Sequence, residues 1–162
     1  MDWDKAVSRG DIIFEKVDNS DFAEIAETIR NRVKNNGVKR VVIDSITIAH
    51  LYSKDDVIYR TSLLQLLEVI NMLDCTTMIT AERNYADRDK SEFKIEEFVT
   101  DAVVALYSIP KGEIRYKALE VLKMRGSEFA MKLCPFRITP TGLVVYPIDS
   151  VFWLESEKKR DR

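Results

Sequence analysis

Short apolar runs rich in β-branched residues alternate with amphipathic helical patterns through the first half of the chain. Apolar residues recur at helical spacing from Phe22 to Val33, and Gly37 ends that pattern with a residue that tolerates positive φ. Arg40–Ile43 is apolar on both faces of a strand, which is typical of a parallel sheet. This alternation of strands and helices predicts an α/β fold with right-handed crossovers.

The same signals predict the other elements of this half. Asp11–Phe14 is a predicted strand, and residues 18–20 offer caps for the helix that follows. Ser53 with Asp56 three residues later predicts a capping box for a second helix. Thr76–Ala81 is the next predicted buried strand. The apolar face of the second helix consists of Leu63, Leu66, Leu67, Ile70 and Leu73.

The second half is predicted to be rich in strands. The charges of residues 83–97 indicate a solvated loop that ends in a short helix at Glu96 and Glu97. Turns at residues 110–112 and 140–142 separate strands predicted at Val103–Tyr107, Glu113–Met124, Lys132–Ile138 and Leu143–Tyr146. We expect a single domain over residues 1–162, with Glu155–Arg162 as a charged tail.

Composition excludes several classes of protein. The 162 residues carry 25 Lys and Arg against 27 Asp and Glu, and the net charge of −2 argues against a strongly electrostatic nucleic-acid binder, although not against a local basic patch. Cys75 and Cys134 are interpreted as reduced thiols, with a disulfide as the less favoured alternative. Apolar runs are too short for a bilayer and no signal peptide is expected, so we predict a cytoplasmic protein without a membrane span.

Two common kinds of catalytic site are poorly supported. His50 is the single histidine, so neither a zinc site nor a Ser-His triad is indicated. None of the five glycines is followed by Lys-Ser or Lys-Thr, so these 162 residues contain no phosphate-binding P-loop of the GxxxxGKS or GxxxxGKT type.

Polar side chains follow two of the predicted strands. Asp44 ends an apolar strand, where ligands bind in open α/β sheets, and a carboxylate there can orient the water shell of a nucleotide-bound Mg²⁺. The alternative is that Asp44 caps the turn after its strand. Thr80 and Glu82 end the next strand, where a polar residue can sense the state of a nucleotide. Simple solvation of the strand end is the alternative.

A cationic strand is the second candidate. Alternation along a strand predicts one face that carries Arg115, Lys117, Leu119, Val121, Lys123 and Arg125. Lys123 and Arg125 then project side by side, and two adjacent cations suit a polyanion such as a triphosphate. An exposed strand face with solvated cations is the alternative.

Several segments occur in the order and spacing of the KaiC-like ATPases of the RecA superfamily. They are Val41–Thr47, Thr76–Arg83, Ile95–Asp101, Leu122–Ser127, Pro135–Thr139 and Gly142–Pro147. Asp2-Trp3-Asp4 also resembles a Gly-Trp-Asp segment of these domains, so the resemblance covers about residues 2–148.

The resemblance implies a RecA-like P-loop NTPase fold. Its three-layer αβα core would have a mostly parallel sheet and C-terminal β-hairpins, incomplete at the N-terminus. In the family, the P-loop and the paired catalytic glutamates lie upstream of the segment matched by Trp3. Family members bind and hydrolyse Mg-ATP between the subunits of rings, usually hexamers. Whether autophosphorylation also occurs stays open.

The resemblance also assigns roles by position. Asp44 matches the Walker B aspartate that supports Mg²⁺ on ATP, and Lys123 and Arg125 match the pair that reaches the γ-phosphate of the neighbouring subunit's ATP. The other matched positions contact the nucleotide or the same interface: Lys117, Met124, Ser127 and Thr139.

Three functional interpretations remain open. The first is a KaiC-like ATPase, in which this chain supplies the Walker B and trans-acting Lys/Arg portion of a homo-oligomer. The second is a non-catalytic interaction protein that donates Lys123 and Arg125 to a P-loop-bearing partner. The third, nucleic-acid binding through residues 83–97, is weakest because that loop carries four cations and five anions.

Overall fold

A computed structural model describes residues 2–17, 21–53, 55–82 and 94–148. The chain forms two compact units, Met1–Arg83 and Asn84–Arg162. The first unit contains helices α1 to α4 and strands β1 and β2: α1 Trp3–Ser8, α2 Phe22–Asn36, β1 Arg40–Ile43, α3 Thr47–Tyr52, α4 Asp56–Asn71 and β2 Thr76–Ile79. The second contains α5 Ile95–Val99, β3 Ala102–Lys111, β4 Ile114–Met124, β5 Cys134–Thr139 and β6 Gly142–Val145. The predicted α/β class is confirmed.

Helix α2 begins and ends where its local chemistry dictates. The Asp21 carboxylate accepts a hydrogen bond of 2.8 Å from the Ala23 amide and satisfies one of the free N–H groups of the first turn. Gly37 ends the helix with φ of 65°, a value that disfavours side chains with a Cβ. The caps predicted at residues 18–20 lie outside the described residues, and the observed N-cap is Asp21.

Helix α4 starts at a different cap from the predicted one. The Asp55 carboxylate accepts from the Val57 amide at 2.6 Å, whereas the Ser53 hydroxyl donates to the Asp55 carbonyl at 3.0 Å. The predicted capping box of Ser53 and Asp56 is therefore wrong. Two consecutive aspartates offered two registers, and the residue that lies just before the first turn became the cap.

The core of the first unit lies where α2 packs on α4. Leu63 and Leu66 are each only 1% exposed, and the Phe22 and Tyr59 rings lie 5.6 Å apart. Burial of each such side chain contributes about 1.5–3 kcal/mol. The predicted apolar face of α4 is confirmed for Leu63, Leu66, Leu67 and Ile70, of which Leu67 is half-buried and the others are buried. Leu73, also predicted for this face, lies beyond the end of α4.

Strands β1 and β2 form a parallel pair in which Arg40 aligns with Thr76 and Ile43 with Ile79. The Thr80 amide donates to the Ile43 carbonyl at 3.0 Å, which continues the ladder beyond the strand ends. The prediction that these strands are buried on both faces is wrong for this chain, because Val42 and Met78 are 65% and 64% exposed. The two side chains share one face of the pair.

Residues Asp11–Phe14 do not form the predicted strand. The Asp11 amide donates to the Ala6 carbonyl at 2.9 Å, so the backbone folds back on the end of α1. The Phe14 ring lies 6.3 Å from the Trp3 ring and remains 71% exposed. This apolar run therefore packs locally on α1 and joins neither β1 nor β2.

The second unit is an antiparallel sheet with strand order β3-β4-β5-β6. Tyr107, Ile109 and Ala118 form its buried cluster, against which Ala105 and Leu133 pack. The predicted C-terminal hairpins are confirmed, and β3 extends four residues beyond its predicted end. Of the strands in the described residues, β1 and β2 alone represent the parallel part of the predicted sheet.

The remaining sequence predictions have different outcomes. No helix in the described ranges has the length and apolar character needed to cross a bilayer. The predicted charged tail Glu155–Arg162 and most of the predicted loop at residues 83–97 lie outside the described residues. Cys75 and Cys134 are both free thiols, as predicted.

Truncation of Leu66 tests the helix–helix core. We expect Leu66→Ala to lower the free energy of unfolding by about 2–5 kcal/mol, because it removes buried methyl groups and leaves a cavity. Urea unfolding followed by circular dichroism measures this difference. Leu64→Ala is the matched control, since Leu64 is 42% exposed on the same helix and should change stability by about 0.5 kcal/mol or less. Equal losses in the two variants would contradict the assignment of the core.

Candidate functional site

The ends of β1 and β2 bring Asp44 and Thr80 together. Both residues directly follow their strands, and parallel pairing places the two carboxyl ends at one edge. The Thr80 hydroxyl lies 2.5 Å from Asp44 Oδ1 and 3.5 Å from the Ile43 carbonyl, so the carboxylate is its closer acceptor. The Asp44 side chain is exposed at this edge, and the Asp44–Ser45 peptide bond is cis.

The chain segments that leave these two strands are also joined. The Ile46 amide donates to the Thr80 carbonyl at 3.1 Å. The Glu82 amide donates to the Thr47 hydroxyl, at the start of α3, at 2.8 Å. Asp44 is therefore held beside Thr80 by backbone and side-chain bonds. The sequence predicted polar residues at both strand ends, and the structure adds their hydrogen bond. The sensing role of Thr80 and Glu82 stays a prediction.

The Asp44 carboxylate at this edge suits a cation whose other ligands are water and substrate oxygens. In the described ranges, no three His, Cys, Asp or Glu side chains cluster as a metal site would require. Mg²⁺ is usually held by one or two carboxylates together with water and substrate phosphates. The single exposed carboxylate of Asp44 therefore fits a nucleotide-bound Mg²⁺ and does not fit a metal held by protein ligands alone.

A β-bulge decides which way Lys123 faces. Val104 pairs with Val121 but Val103 pairs with Lys123, so Leu122 is an extra residue in β4. Directly paired residues share a face, and adjacent residues of β3 face opposite sides. The predicted common face of Lys123 with Arg115, Lys117, Leu119 and Val121 is therefore wrong, because a bulge reverses alternation and leaves no signal in the hydrophobic pattern.

Lys123 and Arg125 nevertheless converge, and they do so on the end of α5. Lys123 Nζ donates to the Glu97 and Phe98 carbonyls at 3.1 and 2.7 Å, and lies 6.0 Å from the centre of the Phe98 ring. Arg125 Nη2 donates to the same Phe98 carbonyl at 3.4 Å, and Nη1 donates to Asp101 Oδ1 at 3.1 Å. The Arg125 amide also donates to the Asp101 carbonyl at 2.8 Å.

The reason for this arrangement is the short length of α5. The last four carbonyls of a helix have no partner within the helix, and its C-terminal end carries partial negative charge. Ile95–Val99 is five residues long, so most of its carbonyls fall in that group. Lys123 and Arg125 satisfy two of them with charged donors, which are stronger than neutral ones.

The surroundings of Lys123 lower the pKa of its ammonium below its usual range. Desolvation of the ammonium is the largest cause, repulsion by the Arg125 guanidinium is the second, and attraction by Asp101 opposes both. The two cations are therefore close enough to disfavour each other's charge, which an anion placed between them would relieve.

The remaining predicted residues lie elsewhere on this unit. Lys117 is exposed opposite Ser108 in the β3–β4 pair, and Ser127 is exposed after the turn that follows β4. The Thr139 hydroxyl donates to the Gly142 carbonyl at 2.9 Å within the β5–β6 turn. Met124 is half-buried at the end of β4. Among the described contacts, no hydrogen bond or ion pair joins Lys117 or Thr139 to the Lys123–Arg125 pair.

Sequence reasoning missed two parts of this cluster. Asp101 lies in a segment that resembles the family, but its acidic type alone did not link it to Arg125, which is 24 positions away. The Phe98 carbonyl is a backbone group, so no residue type signals its role. A charged residue two positions before a predicted strand, opposite a cationic strand end, is the one signal that could have identified Asp101.

Comparison with known proteins identifies the family. The family model for the KaiC ATPase matches residues 3–150. This chain belongs to the KaiC ATPase family. The resemblance inferred from six sequence segments is thus confirmed over nearly the whole chain.

Individual KaiC-family proteins match at similar levels. The circadian clock oscillator protein KaiC of a Nostoc strain is 32% identical over 135 residues, which are 83% of this chain and 26% of that protein. A Thermotoga maritima protein described as UPF0273 is 32% identical over 130 residues, 80% of this chain and 52% of its own length. The chain therefore spans between about a quarter and a half of these curated relatives.

A solved structure supports the fold at the same level. The crystal structure of a KaiC-like protein from Pyrococcus horikoshii superposes with a TM-score of 0.76 at 31% identity, over 90% of this chain and 65% of that one. The predicted RecA-like fold of the KaiC family is therefore confirmed.

The lowered pKa of Lys123 in this KaiC-family chain can be measured directly. We expect Arg125→Gln to raise the pKa of Lys123, because it removes a repelling charge, and Asp101→Asn to lower it further. Titration of the lysine side-chain carbon signals by NMR reports both shifts. Since folding favours the neutral amine, Lys123 opposes stability at neutral pH, and that opposition fades as pH rises above its lowered pKa. A lower Lys123 pKa in Arg125→Gln, or a higher one in Asp101→Asn, would contradict the arrangement.

Proposed function

We propose that this chain supplies the Walker B carboxylate and the trans-acting cation pair of a Mg-ATP-hydrolysing subunit interface. The observation that carries the proposal is the exposed Asp44 carboxylate, held by the Thr80 hydroxyl at 2.5 Å where two parallel strands end. Ligands of open α/β sheets bind at that edge. Membership of the KaiC ATPase family supports ATP as the ligand.

Asp44 would act on the metal side of the nucleotide. Mg²⁺ on ATP neutralises developing charge on the phosphates during phosphoryl transfer. The outer carboxylate oxygen of Asp44 is proposed either to bind Mg²⁺ directly or to accept hydrogen bonds from the water ligands of Mg²⁺. Thr80 would fix the orientation of the carboxylate and leave one oxygen facing the ligand.

Lys123 and Arg125 would act on the phosphate side of a neighbouring subunit's ATP. Both donate to one carbonyl oxygen in this structure, so their donors converge on one point, as contacts to a terminal phosphate require. The likeness to KaiC supports a homo-oligomer, and a hexameric ring is part of the proposal. The same interface and nucleotide contacts are proposed for Lys117, Met124, Ser127 and Thr139.

A second function is favoured by one observation. These 162 residues contain no GxxxxGKS or GxxxxGKT loop, which is the main phosphate-binding element of P-loop ATPases. The chain would then be an interaction protein that inserts Lys123 and Arg125 into the site of a P-loop-bearing partner without using Asp44.

One pair of variants separates the two functions. ATP turnover is measured for the assembly of this chain with a P-loop-bearing KaiC-family subunit. Arg125→Ala should lower turnover by on the order of 10³-fold under both functions, because trans-acting arginines stabilise charge in the transition state. Arg115→Ala is the matched control on the same strand and should leave turnover unchanged. Turnover that survives Arg125→Ala would refute the cation-pair role.

Asp44→Asn then decides whether this chain's own nucleotide edge is used. We expect a loss of Mg²⁺ dependence and of turnover by about 10–100-fold, because the amide cannot balance the charge of the cation. Thr80→Val should cause a smaller loss in the same direction. Asp74→Asn is the control, since Asp74 is an exposed carboxylate paired with Lys39. Unchanged turnover in Asp44→Asn would favour the interaction protein.

A further inference from the structure

We propose that helix α5 and the Lys123–Arg125 pair form a two-position latch. In one position the two cations hold the C-terminal end of α5, and in the other a polyphosphate takes the cations and releases the helix end. The inference rests on the proposed function in one respect, namely that these cations meet phosphate.

The latch depends on competition for the same donors. An ammonium has three N–H groups, and Lys123 directs two hydrogen bonds to the Glu97 and Phe98 carbonyls. Arg125 directs one guanidinium nitrogen to the Phe98 carbonyl and another to the Asp101 carboxylate. A phosphate group that takes all three ammonium N–H groups and both guanidinium nitrogens therefore displaces these bonds.

Helix α5 has no fully buried residue. Phe98 is 68% exposed, and the other four residues are half-buried. At the start of the helix, the Lys94 amide donates to the Glu97 carboxylate at 3.3 Å. Helices shorter than about 12 residues are marginal in water without packing, so α5 depends on contacts at its ends. The last backbone bond of the helix, from the Thr100 amide to the Glu96 carbonyl, is long at 3.4 Å. Removal of the cations should therefore loosen this end first.

Asp101 keeps the latch in its first position. Its carboxylate lies 3.1 Å from Arg125 Nη1, and its carbonyl accepts from the Arg125 amide. The side chains of Arg125 and Asp101 are 55% and 81% exposed, so this ion pair is weak and open to exchange with a dissolved anion. Desolvation is the main cause of the lowered pKa of Lys123, and repulsion by Arg125 adds to it. That repulsion also favours an added anion over the neutral carbonyls.

Hydrogen exchange on the full chain tests the latch, with inorganic tripolyphosphate as the probe. At saturating probe, we expect amides of residues 95–101 to exchange on the order of tenfold faster, because charged hydrogen bonds to the helix end are lost. Amides of the β5–β6 hairpin should not change. Calorimetry under the same conditions measures binding of the probe independently.

Matched variants assign the effect to the named residues. Arg125→Gln should exchange faster at residues 95–101 without probe and respond little to it, whereas Arg115→Gln should behave as the parent does. Asp101→Asn should raise the basal exchange of the same residues and tighten tripolyphosphate binding. Glu128→Gln is the control for Asp101→Asn, because it also removes one negative charge close to Arg125 in the sequence. It should leave the basal exchange of residues 95–101 unchanged.

Two results would overturn the latch, and a third would overturn the role of Asp101 in it. Tripolyphosphate binding that depends on Arg125 but leaves exchange at residues 95–101 unchanged or slower refutes the latch alone, and the phosphate role of the pair survives. Absence of Arg125-dependent binding refutes both the latch and that phosphate role. Equal basal exchange in Asp101→Asn and the parent refutes Asp101 as the residue that holds the first position.

Discussion

The parallel pairing of β1 with β2 is the constraint on which the strand edge with Asp44 and Thr80 depends. Asp44 and Thr80 are 36 positions apart, and the shared direction of the two strands brings both to the same edge. The helix–helix core of α2 and α4 gives the first unit its buried apolar side chains, while the ladder determines which polar groups meet. Replacing core side chains by others of similar volume would alter the stability of the unit. A shift of strand register, by contrast, would separate Asp44 from Thr80.

In the second unit, the carbonyls of the very short helix α5 need hydrogen-bond donors from outside the helix. Lys123 and Arg125 supply charged donors, and Asp101 offsets part of their mutual repulsion. Side chains that serve a helix end in this way are already oriented, partly desolvated and convergent. These are also the properties that a phosphate-binding pair needs, so structural support and the proposed ligand contact draw on the same donors.

Helix and hairpin positions were predictable because their signals are local. Helical spacing, Gly37 and the turn residues of the second half each act within a few positions, and the elements formed where they indicated. Errors arose where a local pattern had two outcomes. The apolar run Asp11–Phe14 packed on α1, and α4 is capped by Asp55 in place of the predicted Ser53.

The sequence by itself determined the family, the α/β class and the placement of Asp44 at a strand end, because these follow from order, spacing and periodicity. Tertiary structure alone decided that Thr80 holds Asp44, that a bulge turns Lys123 to the other face of β4, and that Lys123 and Arg125 meet at α5. The physical reason is that these contacts join backbone groups and side chains far apart along the chain. Strand register and one inserted residue set such distances, and neither leaves a local signal in the residue types.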